Sequence, residues 1–196
     1  MEYNIELCEE NHTYKVNGMI KPSVSHKINL VMNGGNPIPD YAIDSVQKGT
    51  MVHKIIKLGF TTGVDIESID ERFKGWYDSF SQLKEELHLR AKCVEKIFYD
   101  DISDTCMTVD YVGHADFAAH LIDWKTGGLY KKYRAQMGGY CACASKIFKH
   151  TEFKVALGQI FKDGKKGRLV YLDKEECIKD FESVNRIYNI LTSKEK

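Results

Sequence analysis

Short alternating segments open the chain. Residues 3–7 and 13–16 alternate apolar with polar side chains on either side of a polar Glu-Glu-Asn-His stretch, which predicts a β-hairpin. Pro22 and Ser23 or Ser25 then favour the start of a short helix, because Ser is a preferred helix N-cap. The Asn-Gly-Gly-Asn-Pro-Ile-Pro stretch that follows interrupts regular structure.

Helical periodicity dominates the next part of the chain. Residues 40–58 follow the 3.6-residue period, and Gly59 stands where a C′ glycine would end that helix. A second helix is predicted over residues 71–87, where one stripe is apolar. The stripe consists of Phe73, Trp76, Tyr77, Phe80 and Leu83. The same period predicts helices over residues 131–149 and 175–191.

A period of two replaces the helical pattern between residues 90 and 125. Side chains alternate over residues 93–99, and two further strand-like runs follow at 106–112 and 114–125. Two more strands are expected around the turn Lys-Asp-Gly-Lys-Lys-Gly, at residues 153–161 and 168–172.

This order of elements predicts the fold class. Helices, a cluster of strands, one helix, two strands and a last helix favour a single α/β domain over residues 1–196, with a mixed central sheet flanked by helices. Residues 1–35 are expected to form the N-terminal hairpin and leading segment, and residues 40–192 the core.

Composition narrows the classes of function. Lys plus Arg and Asp plus Glu both number 28, so no overall positive field attracts nucleic acid, and a polyanion would have to be bound by local patches. No stretch approaches the roughly 18 uninterrupted apolar residues of a membrane span, and the start has no apolar signal core, so we expect a cytoplasmic protein without a membrane partner. The cysteines form no Cys-x-x-Cys pair, and reduced thiols are expected.

Candidate chemistry is concentrated in the segment Gly-His-Ala-Asp-Phe-Ala-Ala-His-Leu-Ile-Asp-Trp-Lys-Thr. If two strands fold back about the bond between Ala119 and His120, Asp116 faces Asp123 with Cβ atoms about 4.5–5.5 Å apart. Lys125 shares that face because side chains alternate along a strand. An exposed ion pair of Asp123 with Lys125 is the simpler interpretation, and Ala-His is a poor two-residue turn.

Facing carboxylates indicate a cation site. Like charges directly opposite each other destabilise a sheet, and Mg²⁺ or Mn²⁺ would offset this because such hard cations take oxygen ligands and keep open positions for phosphate. An ammonium beside such a site could orient water or stabilise charge on a phosphate, which is the chemistry of phosphodiester hydrolysis. Zinc bound by Cys106, His114 and His120 fits the composition, but their irregular spacing favours the oxygen-rich site.

An ordered set of motifs resembles the PD-(D/E)XK nuclease superfamily, in particular its RecB-type branch with related phage exonucleases and CRISPR-associated nucleases. That branch has a helix His, then G-x-x-D, D-x-K and Q-x-x-x-Y. The matching positions here are His53, Gly113 to Asp116, Asp123 to Lys125, and Gln136 to Tyr140. The resemblance covers about residues 49–140, and the segment Tyr-Lys-Val-Asn-Gly-Met-Ile-Lys-Pro-Ser-Val-Ser is similar to the leading segment of phage-type members.

The resemblance implies a restriction-endonuclease-like core and a role for each matched residue. It implies that His53, Asp116 and Asp123 are metal ligands, and that Lys125 is catalytic together with the two aspartates. Gln136 and Tyr140 would order the site or contact DNA. Without the other motifs, the histidine would be taken for a helix residue with a local hydrogen bond, the tyrosine for a core aromatic, and the glutamine for a surface residue.

Further residues extend this picture. Glu95 matches a position that is often acidic in such nucleases and is a candidate ligand for a second metal ion, although a solvent-facing glutamate fits equally well. Asp110 is a nearby acid without a motif. Gly138 and Gly139 would let the helix backbone approach the strand pair closely. Several RecB-type nucleases bind an iron–sulfur cluster, but the cysteines here do not match that pattern, and we expect none.

Local basic patches are the expected DNA contacts. The first comprises Lys125, Lys131, Lys132 and Arg134, the second Lys146 and Lys149, and the third Lys162, Lys165, Lys166 and Arg168. Tyr130 and Tyr133 interleave with the first patch, where aromatic rings could stack on unpaired bases while lysines contact the backbone. Because this patch adjoins the candidate site, we favour it over the other two, which are typical of solvated surface.

The leading hypothesis is a metal-dependent deoxyribonuclease, most in line with an exonuclease in phage-type recombination or DNA end processing. A single-strand annealing or recombination protein is a candidate partner. A non-catalytic nucleic-acid-binding module on the same fold and a structure- or sequence-specific endonuclease are the alternatives. The polarity of digestion, the preference for single or double strands or RNA, and the oligomeric state are left open.

Overall fold

The computed structural model of the chain describes residues 3–8, 12–37, 39–149 and 151–193. Its strands are β1 (Ile5–Cys8), β2 (Thr13–Val16), β3 (Met19–Lys21), β4 (Arg90–Asp100), β5 (Thr105–Ala115), β6 (Ala118–Lys125), β7 (Phe153–Gln159) and β8 (Arg168–Leu172). Its α-helices are α1 (Val24–Asn33), α2 (Asp40–Thr61), α3 (Glu71–Glu86), α4 (Lys132–Phe148) and α5 (Lys174–Thr192).

The main sheet has five strands in the order β4-β5-β6-β7-β8. All neighbours in it are antiparallel except β6 and β7, which are parallel and are connected through α4. A parallel pair needs such a crossover, because a tight turn can join only antiparallel strands. The predicted fold class, an α/β protein with a mixed sheet flanked by helices, is confirmed. In the described part of the chain, no helix combines the length and apolar character needed to cross a membrane.

Helices cover both faces of this sheet. Residues of α1, α4 and α5 form one core cluster with one face, around Val109 and Leu121. Residues of α2 and α3 form a second cluster with the opposite face, around Tyr111 and Trp124. The candidate chemistry of β5 and β6 therefore lies between two helical layers.

The N-terminal hairpin is confirmed, since β1 pairs antiparallel with β2, while the turn residues 9–11 lie outside the described residues. The strand β3 extends it to a three-stranded sheet that packs on Cys106. The short helix α1 begins as expected, with the Ser23 hydroxyl accepting a hydrogen bond from the His26 amide.

One helix end differs from its prediction. Gly59 does not end α2, which continues to Thr61. A Cβ at Gly59 would lie 3.1 Å from a ring atom of Phe80 and 3.2 Å from one of Tyr77. Gly59 thus lets α3 pack closely against α2, and the absence of its side chain serves packing instead of a turn.

The register of the hairpin between β5 and β6 also differs. Tyr111 pairs with Ile122 and Ala115 with Ala118, so the turn lies at Asp116 and Phe117 and not at the Ala-His bond. Asp116 adopts φ 51°, a left-handed conformation that Asp tolerates better than most residues. The predicted pairing of Asp116 with Asp123 is therefore wrong, because Asp116 is a better turn residue than Ala119 or His120 and forms the turn itself.

Two glycines of α4 approach helices and not the strand pair, contrary to expectation. A Cβ on Gly138 would lie 1.9 Å from the carbonyl oxygen of Cys177 in α5. A Cβ on Gly139 would lie 2.7 Å from a methyl carbon of Val24 in α1. These contacts fix α4 against α1 and α5, and thereby set the position of the side chains that α4 directs at the sheet.

We expect Gly138→Ala to lower the free energy of unfolding by about 3 kcal/mol, because backbone atoms of α5 would have to move. Gly49→Ala is the matched control within a helix: its nearest neighbour would be the Thr126 hydroxyl at 4.0 Å, and helix propensity favours Ala by up to about 1 kcal/mol. Urea unfolding of both variants measures the difference. Equal stability of the two would contradict the close packing of α4 on α5.

Candidate active site at the end of β6

Three carboxylates form a row across neighbouring strands. In the β4–β5 pairing, Val94 faces Tyr111 and Lys96 faces Val109, which places Glu95 opposite Asp110. The β5–β6 pairing stops at Tyr111 and Ile122, one residue before Asp110 and Asp123. A row of three acids inside a sheet is costly unless cations compensate it.

The backbone is irregular at this row. Glu95 has φ 47°, which is rare for a non-glycine residue within a strand and marks a site that the surrounding structure must hold. Val109 and Tyr111 pack into opposite core clusters, although residues two apart on a regular strand share a face. Asp110 lies between these two residues, and its carboxylate accepts a hydrogen bond from the Trp124 backbone amide at 2.8 Å.

His53 of α2 completes the row. Its Nε2 lies 3.1 Å from the Trp124 carbonyl oxygen, which can only accept, so this nitrogen donates. Its Nδ1 lies 3.1 Å from Glu95 Oε1 and 3.3 Å from Asp110 Oδ2. Burial lowers the pKa of His53, but the Asp110 and Glu95 carboxylates outweigh it and hold that pKa well above its usual value.

Asp123, which is buried, and Lys125, whose side chain is 14% exposed, form an ion pair beside this cluster. Burial raises the pKa of Asp123 to about 6, an effect that the Lys125 ammonium partly offsets. Burial lowers the pKa of Lys125, but the Asp123 and Asp110 carboxylates outweigh it, so the pKa is raised and the amine stays charged.

Two residues of α4 organise this pair. Gln136 accepts a hydrogen bond from Lys125 Nζ at 3.2 Å and donates from Nε2 to Asp123 Oδ1 at 3.3 Å. The same amide nitrogen lies 2.8 Å from the Tyr140 hydroxyl, to which it donates. Spacing of four residues on a helix makes this arrangement possible, as the sequence predicts.

The donor set fits a divalent cation. Among the described residues, His53, Glu95 and Asp110 are the only three His, Cys, Asp or Glu side chains whose ligand atoms lie within 4.8 Å of one another. With Asp123 and Lys125, three carboxylates face two cationic groups, which leaves one negative charge in excess. A divalent cation that replaced the proton on His53 would bring the cluster to neutrality.

The structure brings together most of the predicted site residues. His53, Glu95, Asp123, Lys125, Gln136 and Tyr140 all belong to one connected group. Asp116 does not: it lies in the exposed hairpin turn, where its carboxylate pairs with His88 Nδ1 at 3.0 Å. Asp110 lies in the group where Asp116 was expected. The sequence held one signal for this: Ala-His is a poor two-residue turn, and a turn moved to better turn residues would have brought Asp110 next to Asp123.

The zinc alternative has no geometric support in the described part of the chain, since Cys106, His114 and His120 do not form a ligand group. His120 instead contacts the Ala118 carbonyl oxygen through Nδ1 and the Tyr171 hydroxyl through Nε2.

The basic patches differ in how many of their charges are already paired. Arg134, a predicted DNA contact, is paired with Glu176 and Asp180 of α5, so it supports packing and is not free to hold phosphate. Lys131 and Lys132 are exposed, and within the described residues no carboxylate pairs with either. In the other two patches, ion pairs engage Lys146, Lys165 and Lys166. The first patch is the one that adjoins the site, and Lys131 and Lys132 are its charges without a carboxylate partner among the described residues.

No family model matches the chain, and a search of curated proteins found no match either. The nuclease resemblance therefore stays a prediction from ordered motifs. Because one fold hosts many functions, the function has to be argued from the chemistry of this site.

If the motif resemblance holds and this site cleaves DNA, we expect Tyr140→Phe to slow that cleavage by about tenfold or less, because it removes one hydrogen-bond partner of Gln136 while the ring remains in the core. Steady-state kinetics on a linear DNA substrate measures the change. An unchanged rate would show that the Tyr140 hydroxyl has no role in function.

Proposed function

We propose that this protein is a metal-dependent deoxyribonuclease with a restriction-endonuclease-like core. The observation that carries the proposal is the cluster of His53, Glu95 and Asp110 beside the buried pair of Asp123 and Lys125. The order of motifs along the chain supports the same assignment. Those motifs resemble nucleases that process DNA ends, which favours an exonuclease in phage-type recombination or end processing.

The ligands proposed for Mg²⁺ or Mn²⁺ are His53, Glu95 and Asp110, with Asp123 next to them. When bound, the ion would polarise the scissile phosphate and neutralise charge that develops on it. Mn²⁺ should act at lower concentration than Mg²⁺, because Mg²⁺ favours oxygen ligands alone and this set includes an imidazole nitrogen.

The side chains of the site have separate tasks. Lys125 presents a cation that can stabilise negative charge on the phosphate, and Asp123 and Gln136 hold its ammonium in place. Because the neighbouring carboxylate favours the charged form of the amine, Lys125 acts in this proposal as a charge stabiliser and not as a base. Lys131 and Lys132 would bind phosphates of the DNA backbone further along the strand.

A cleavage assay tests this proposal. Purified protein is incubated with linear and with covalently closed circular DNA of the same sequence, in Mg²⁺, in Mn²⁺ or with a chelator. Loss of linear DNA that requires the metal, with circles left intact, is the expected result. Nicking of the circles would show that the activity is that of an endonuclease and not of an exonuclease. Binding without cleavage in either metal would favour a non-catalytic nucleic-acid-binding module on the same fold.

A further inference from the structure

One tyrosine lies directly beside the proposed catalytic lysine, and a second tyrosine packs against the first. The ring centre of Tyr133 is 4.1 Å from Lys125 Nζ, a cation–π contact. The ring of Tyr130 contacts the Tyr133 ring edge to face, with centroids 5.7 Å apart and an interplanar angle of 69°. The Tyr130 side chain is 61% exposed. The pair thus leads from the buried ammonium to the surface.

Unpaired cations border this aromatic pair. Lys132 Nζ lies 5.9 Å from the ring centres of both tyrosines. Lys131 is exposed next to it, and neither lysine has a carboxylate partner within the described ranges. Rings interleaved with free cations are what a single strand needs, because each base has a flat face to stack and each phosphate a charge to neutralise.

The loop before the tyrosines leaves space for such a ligand. A Cβ on Gly127 would meet no atom within 4 Å, so the surface above it is open. The loop is nevertheless held in place, since the Gly127 carbonyl oxygen accepts a hydrogen bond from Gln159 Nε2 at 3.1 Å. The loop between Lys125 and Tyr130 is therefore open to solvent at Gly127 and anchored to β7 through Gln159.

We infer that Tyr130, supported by the half-buried ring of Tyr133, stacks on an unpaired base next to the scissile phosphate, so that the substrate is a single-stranded DNA end. Bases within a duplex are stacked on one another and offer no free face to these rings, whereas an unpaired base does. The inference rests on the proposed nuclease function for its site, but the stacking contact itself needs no catalysis and is measured by binding.

The test compares binding of a fluorescent single-stranded oligonucleotide and of a blunt-ended duplex of two annealed strands by anisotropy, with a chelator present so that no cleavage occurs. Tyr130→Ala should weaken single-strand binding by about tenfold or more and duplex binding by less than about twofold. Tyr130→Leu, which keeps apolar bulk but lacks a π face, should show the same loss. Tyr130→Phe should bind normally.

Tyr171→Ala is the matched control, because Tyr171 is an exposed tyrosine on β8, away from the end of β6. It should leave single-strand binding unchanged. The inference is overturned if Tyr130→Ala binds single strands normally, or if it weakens single-strand and duplex binding equally. If the selective loss occurs but no metal supports cleavage, the stacking contact stands and the nuclease proposal fails.

Discussion

Asp110→Asn is expected to lower the rate of metal-dependent DNA cleavage by about 100-fold or more. Asp110 lies at the centre of the carboxylate row, between Glu95 on β4 and Asp123 on β6. The substitution removes the negative charge of a proposed metal ligand, whose Oδ2 lies 3.3 Å from His53 Nδ1. An asparagine oxygen can still accept the hydrogen bond from the Trp124 amide, so the fold should be preserved.

Asp116→Asn is the matched control for this experiment. Both residues belong to the same hairpin, but Asp116 lies in its exposed turn and pairs only with His88 among the charged groups described. We expect its activity to stay within about twofold of the unaltered protein, as for most exposed substitutions. Thermal unfolding shows that both variants are folded. An active Asp110→Asn protein together with an inactive Asp116→Asn protein would contradict the proposed role of Asp110 and would favour Asp116, the residue that the motif resemblance implies as the metal ligand.

Replacing Lys125 should have a comparable effect on catalysis. We expect Lys125→Ala to reduce kcat by about 100- to 1000-fold, because it removes the charge that we propose stabilises the developing phosphate anion. DNA binding should change much less, since Lys131 and Lys132 are the residues proposed to contact other phosphates. Single-turnover cleavage and anisotropy binding measure the two quantities separately.

A second variant keeps this prediction testable if the first one unfolds. Removing Lys125 alone leaves the buried Asp123 without its counter-ion, which is costly in a protein interior. The double variant Asp123→Asn with Lys125→Met removes both charges and should fold, yet remain inactive. A folded double variant with full activity would show that the ion pair is structural only.

The elements and the helix-borne part of the site could be predicted from the sequence, because both depend on local spacing. The period of two located the strands of the main sheet, and the period of 3.6 located the helices that flank it. The four-residue spacing of Gln136 and Tyr140, read together with the motif resemblance, predicted that both side chains share one helix face; Gln136 contacts Asp123 and Lys125, and Tyr140 contacts Gln136.

The register of the central hairpin could not be fixed from the pattern of apolar residues. Moving the turn from Ala119 and His120 to Asp116 and Phe117 changes which acid lies beside Asp123, yet both registers keep apolar side chains in the core. Turn chemistry decided between them, since Asp accepts the left-handed conformation more readily than Ala. The left-handed Glu95 had no sequence signal, because nothing local distinguishes it from a regular strand residue.

The most direct measurement is the anomalous scattering of Mn²⁺ soaked into a crystal of the protein. We predict a peak within coordinating distance of His53 Nδ1 and of the carboxylates of Glu95 and Asp110, with Asp123 beside it. No peak at this cluster under saturating Mn²⁺, or a peak between Asp116 and His88 instead, would contradict the proposed metal site.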